Sequence, residues 1–169
     1  MFSVEKCPVP ANTMLGKYSS VTGAYVDCYM TEISCRATFP EFTFAFYTTP
    51  LFKLERLILK MTVSKPSTDT EARQLADGNI ENFAAWTVES RRENEILMCD
   101  FLGRTRSWFM VKDNGAQSQM YFGSAVVPKA GKTSLEFGYR ALLGFHQIYS
   151  VLLLYFARSR IASRLSKTT

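Results

Sequence analysis

A single histidine, His146, and four cysteines are all that the 169 residues offer a transition metal, and no two cysteines form a C-x-x-C pair. Structural zinc needs four sulfur or nitrogen ligands at close spacing, so Cys7, Cys28, Cys35 and Cys99 read as small apolar residues and no metal is expected. Glycine is equally sparing. Gly131-Lys132-Thr133 lacks the earlier glycine of a P-loop, so nucleotide binding by that route is excluded and no cofactor is expected. Acids are missing after Glu136, where Arg158, Arg160, Arg164 and Lys167 hold much of the formal net charge of +5. The rest of the chain is nearly neutral, which argues against a phosphate-tracking surface and hence against nucleic acid as a partner. An apolar leader is missing too, since Glu5, Lys6, Pro8 and Pro10 interrupt the place a signal peptide would occupy. A cytoplasmic protein with reduced thiols is the expectation.

Aromatic residues are plentiful, with 13 Phe and 8 Tyr in a chain that is 47% hydrophobic. Such rings fill thick cores and also line pockets for apolar ligands. The length fits one domain. Residues 1–20, with Pro8, Pro10, Asn12 and Gly16, read as an N-terminal arm; residues 21–165 as the domain; residues 166–169 as a disordered tail.

Thr22 to Ile33 has strand composition, with Tyr25, Asp27 and Tyr29 on one face, read as a wet face. Pro40 suits the first turn of a helix running to Tyr47. From Pro50, Leu51, Leu54, Leu57, Ile58 and Met61 recur at helical spacing with Lys53, Glu55, Arg56 and Lys60 outside the stripe, an amphipathic helix. Thr68-x-x-Glu71 is a capping box that opens a third helix, closed by Gly78. Four strands follow, Phe83–Arg91, Glu95–Phe101, Arg104–Val111 and Gln119–Val127, with Asp113-Asn114-Gly115 the clearest turn. The last element is a long helix, Leu142 to Leu165. Its run from Ala141 to Ala157 has no formal charge, which is the lower edge of a membrane span, but His146, Gln147 and Ser150 interrupt it. Burial against the sheet is the expectation.

Alternation divides each strand into two faces. With short hairpin loops, Glu89, Arg91, Glu95, Arg104 and Arg106 share one face, a solvated charge ladder. Trp86, Val88, Ile96, Met98, Phe109 and Val111 share the other, with Asp100, Thr105 and Ser107 among them. A carboxylate on an apolar face marks a strand end or a pocket. The assignment hangs on Leu102-Gly103. A one-residue slip there turns Arg104 and Arg106 inward as an anion clamp, with Trp108 to stack on a ring.

The order of strand, helices, strand meander and long final helix resembles the helix-grip fold of the START and polyketide-cyclase superfamily. The segments AFYTTPLFKLERLIL, GRTRSW, YFGSAVVP and LLGFHQIYSVLLL also resemble those of an uncharacterised bacterial family. The resemblance implies an α+β domain in which a curved antiparallel sheet wraps the C-terminal helix. It further implies a cavity between them for an apolar or aromatic small molecule. Five strands are legible where that fold has about seven, which places one or two more in residues 5–20 or 129–140.

Three functions follow as expectations. The first is binding of an apolar or aromatic small molecule, with Tyr25, Trp86, Met98, Asp100, Ser107, His146 and Tyr149 as candidate ligand-binding residues. The second is a cyclase, isomerase or dehydratase on the same scaffold, with His146 as acid/base and Asp100 orienting it. The third is membrane association through the final helix and the basic tail.

Overall fold

The structure, a computed structural model, describes residues 4–129, 132, 134 and 137–165, without the side chains of 137–143 and 165. The expected tail and most of residues 130–136 lie outside the described residues.

In chain order the elements are β1 (Glu5–Lys6), a 3-10 helix (Met14–Ser20), β2 (Tyr25–Ile33), α1 (Phe39–Tyr47), α2 (Pro50–Val63) and α3 (Asp69–Ala76), followed by β3 (Asn82–Phe83), β4 (Trp86–Arg92), β5 (Glu95–Asp100), β6 (Thr105–Asn114), β7 (Gln117–Val126) and α4 (Phe137–Leu165). The strands form one open sheet in the order β1-β2-β7-β6-β5-β4-β3, every neighbouring pair antiparallel. This is the α+β arrangement expected, a meander closed by β2 and covered by a long C-terminal helix.

The two strands missing from the sequence reading have separate origins. One is β1, in residues 5–20. The other arises because the strand expected at Phe83–Arg91 breaks at Ala84, whose backbone has φ 52, leaving β3 and β4. Within residues 1–20, Met14–Ser20 is a 3-10 helix seated on the sheet.

Local signals set the short helices. Thr38 accepts from the Glu41 amide while the Glu41 carboxylate accepts from the Thr38 amide, and Thr68 with Glu71 repeats the device at α3. Each cap satisfies helix donors that would otherwise have no partner. Thr49 caps α2 by accepting from the Phe52 amide, with Pro50 behind it.

The inner face of the sheet meets α1 and α4. Phe46 lies 4.6 Å from Phe109 and 4.8 Å from Phe122, centroid to centroid, and Leu153, Leu154, Ala157 and Ile161 of α4 close the same core. Ile96, Met98, Phe109 and Val111 fall here as alternation required. The pairing of Met98 with Ser107 and of Cys99 with Arg106 shows no slip at Leu102-Gly103.

The outer face is not the solvated ladder expected. The 3-10 helix covers it, burying Leu15, Leu97, Trp108 and Ala125 in a second small core. Glu95 is buried there and fully engaged: it accepts from Trp108 Nε1 at 2.7 Å and from the Met14 amide at 3.0 Å, and pairs with Arg92 at 2.7 Å. Glu89 accepts from Arg106 Nε at 2.9 Å and from the Tyr18 hydroxyl at 2.6 Å. Burial alone would raise Glu89, but its bonds to Lys17, Tyr18 and Arg106 outweigh it and hold the carboxyl below its usual range. A bulge between Val88 and Ser90 changes the register, so Arg91 pairs with Ile96 on the inner face and donates to the Leu75 carbonyl at 3.0 Å. Arg91 therefore leaves the ladder.

The apolar stripe of α2 faces outward. Only Phe52 and Arg56 of that helix are buried, whereas Leu54, Leu57, Ile58 and Met61 are all more than half exposed. Arg56 fixes the helix, donating to Asp69 Oδ1 at 2.6 Å and to Ser67. Helix α4 is also only partly covered, with Phe145 and Ile148 exposed. No helix among the described residues is long and apolar enough to cross a membrane.

Candidate functional site

Between the inner face, α1, α2 and α4 lies a cavity of about 240 Å3. Half of its wall is aromatic, from Phe46, Tyr47, Phe52, Trp86, Phe101, Phe109, Phe122 and Tyr149. Its polar points are Glu55, Asp100, Thr105, Ser107 and His146. Of the residues expected to bind a ligand, Trp86, Asp100, Ser107, His146 and Tyr149 are brought together here. Met98 and Tyr25 are not on this wall: Met98 is fully buried in the core beside Val88, and Tyr25 donates to Asp27 Oδ2 at 3.0 Å.

His146 is oriented by a different carboxylate from the one expected. Asp100 Oδ1 accepts from the Arg104 and Thr105 amides at 2.7 and 2.9 Å and so holds the β5–β6 turn. The histidine instead reaches Ser124, whose Oγ lies 2.6 Å from Nε2, and Ser124 Oγ donates onward to Asp27 Oδ1. The serine hydrogen is committed to Asp27, so Ser124 oxygen accepts from Nε2–H and the ring keeps Nδ1 as its free base. This order, acid–serine–histidine, differs from a nucleophilic triad, where the histidine stands between the other two. Here the serine serves to fix the tautomer of His146.

Asp27 is 2% exposed and accepts from the Ser124 amide and the Tyr25 and Tyr29 hydroxyls as well; Gln147 Nε2 in turn donates to the Tyr25 hydroxyl at 2.7 Å. The face of β2 read as wet is thus an inner face with every polar group tied. Burial holds the His146 imidazole below its usual range, with Asp27 pulling the other way.

One turn further along α4 the Tyr149 hydroxyl donates to Glu55. Burial pushes the Glu55 carboxyl up, against the Tyr149 bond; Tyr149 rises as well, through burial first and then the neighbouring acid. His146 and Tyr149 are three residues apart on α4, which puts them on one helix face. Glu55, His146 and Tyr149 also border a second, outward hollow of about 440 Å3 with Leu51, Leu54, Ile58 and Phe145. They form a polar partition between an inner cavity and an apolar vestibule.

Tyr47 was not foreseen. It lines the cavity at 1% exposure, and its hydroxyl has no hydrogen-bond partner among the described residues. Buried hydroxyls are nearly always satisfied, so Tyr47 leaves one polar group unmet at the cavity wall. Its place in an aromatic helix segment gave no sign of this.

The anion clamp does not form. Arg106 donates to Glu89, to the Tyr18 hydroxyl at 2.8 Å and to the Gly103 carbonyl, Arg104 donates to the Val127 carbonyl at 2.9 Å, and Trp108 is buried under the 3-10 helix. All three belong to the outer face, away from the cavity. Comparison with known proteins found no family model, no curated protein and no solved structure that matches the chain.

Proposed function

We propose that this chain binds a ring-sized apolar or aromatic molecule bearing one polar group, in the manner of START-like helix-grip proteins. The observation that carries this reading is a cavity half lined by aromatic rings, with the orphan hydroxyl of Tyr47 in its wall. The volume of 240 Å3 lies below the roughly 300–1,000 Å3 of drug-sized sites, which favours a small ligand. The ring would lie among Phe46, Trp86, Phe109 and Phe122. Its polar group would meet Tyr47, with Glu55–Tyr149 and His146 Nδ1 as further partners.

Native mass spectrometry of the purified chain tests this directly, with a retained small molecule expected. Indole and phenol, titrated by Trp fluorescence, serve as probes. Tyr47→Phe should keep the fold and weaken phenol by about tenfold, since a buried hydrogen bond to a ligand is worth that much. A chain that retains nothing and binds neither probe overturns the reading.

A second reading has its own support. A histidine whose Nε2–H is held by Ser124, leaving Nδ1 as its base at a half-aromatic cavity, suits proton transfer, as in an isomerase or dehydratase. His146→Gln separates the two, because binding without chemistry survives it and turnover does not.

A further inference from the structure

We infer that α2 and α4 together form a docking face for an anionic lipid surface. Four large apolar side chains of α2, Leu54, Leu57, Ile58 and Met61, are 51–76% exposed. The described part of α4 adds Phe145, Ile148 and Leu152, spaced three and four residues apart and therefore on one side of that helix, at 41–68% exposure. The two rows meet, since Ile58 and Leu54 share the vestibule with Phe145. An exposed apolar patch on this scale marks an interaction surface.

Charge selects the occupant. From Leu51 to Lys65 and from Gly144 to Arg164 the sequence has one acid, Glu55, and that acid is taken by Tyr149. Lys60 on α2 and Lys65 just past its end are both exposed. A second copy docked through the same face would oppose basic helix to basic helix. A bilayer with anionic headgroups complements both features, receiving the apolar row at the acyl boundary and the lysines at the headgroups. With no helix among the described residues able to span, the contact is interfacial. It would also set the vestibule, and the Glu55–Tyr149 partition behind it, against the lipid.

Co-sedimentation of the full chain with vesicles tests this. Pelleting is expected with phosphatidylcholine–phosphatidylserine vesicles, less with phosphatidylcholine alone, and it should weaken at high salt. Lys60→Glu with Lys65→Glu should weaken binding at least about tenfold, because a basic residue near an anionic surface contributes about fivefold. Ile58→Glu with Phe145→Glu should abolish it. All four positions are exposed, so an unchanged melting temperature confirms that the fold survives. Val21→Glu, an exposed apolar residue beside the 3-10 helix, should leave pelleting as it was. Protein that stays in the supernatant with both vesicle types overturns the inference, as do variants that pellet like wild type. A dimer broken by Ile58→Glu, without vesicle binding, assigns the face to a second copy instead.

Discussion

His146 Nε2 and Ser124 Oγ lie 2.6 Å apart, joining the final helix to the strand beside β2 through a single hydroxyl. Remove that hydroxyl and two things change. Asp27 keeps the Ser124 amide but loses its Oγ donor, and His146 loses what fixes its tautomer. Ser124→Ala should cost about 1–3 kcal/mol in urea denaturation. It should also weaken the coupling of His146 to Asp27, visible as a moved imidazole titration by NMR.

The same histidine makes stability depend on pH. Its folded pKa is depressed by burial below the ordinary 6.5. Its contribution is therefore present above 6.5 and is lost as pH falls toward the folded value, since only the unfolded chain takes up the proton. Thermal melts from pH 7.5 down to 5 should show this loss in wild type and a smaller one in His146→Gln.

Glu55 has the opposite sign. Its folded pKa is raised by burial above the usual 4.5, so the stability it contributes is present below 4.5 and lost as pH rises through the folded value. Glu55→Gln can still accept from Tyr149 while remaining neutral. At pH 7 the variant should melt about 2–4 °C above wild type, with the gap closing toward pH 4. A variant that melts lower at pH 7 would show that the charged form is the one the fold favours.

Gly123 marks where the outer core comes closest to the sheet. A Cβ there would stand 2.5 Å from Leu15 Cδ2, 2.9 Å from the Asp27 carbonyl and 3.2 Å from Trp108 Cε3. Gly123→Ala should destabilise by about 1–3 kcal/mol through overpacking. Leu15→Ala in the same chain relieves one contact but not the backbone one, so chemical denaturation should show less than additive loss for the pair.

Cys7 and Cys28 lie directly across β1 and β2 with their sulfurs 3.5 Å apart. Diamide should join them, the two thiols losing two hydrogens that reduce the diamide to its hydrazine. Burial raises both thiols above their usual range, so the reaction should quicken as pH rises and thiolate appears. Peptide mapping should find Cys7 linked to Cys28; a link through Cys35 or Cys99 would contradict the geometry.

The residues of the sheet face and the final helix were legible because their signals are local. Alternation in Ile96, Met98, Phe109 and Val111 gave the inner face, Pro40 and the Thr68–Glu71 capping box gave the starts of α1 and α3, and Asn114-Gly115 gave the β6–β7 turn. Strand parity put Trp86, Asp100 and Ser107 on one face and helix phase put His146 and Tyr149 on one side, while the helix-grip resemblance implied that the two meet. The partner of His146 could not. Asp27 is 119 positions away in the chain, and nothing local says that a strand face of Tyr, Asp and Tyr will be roofed and satisfied.

What the sequence determined by itself was most of the elements from β2 onward, their periodicity and the side of the central strands that is apolar, because backbone geometry enforces those residue by residue. Tertiary structure decided the rest. The bulge at Val88–Ser90 moved Arg91 inward, the 3-10 helix converted a charge ladder into a second core, and the seating of α2 on Phe52 and Arg56 left its leucine stripe outside. Each depends on which surfaces meet. A polar face is stable inside when donors from β7 and α4 arrive to satisfy it, and an apolar stripe stays outside when another side of the helix packs better.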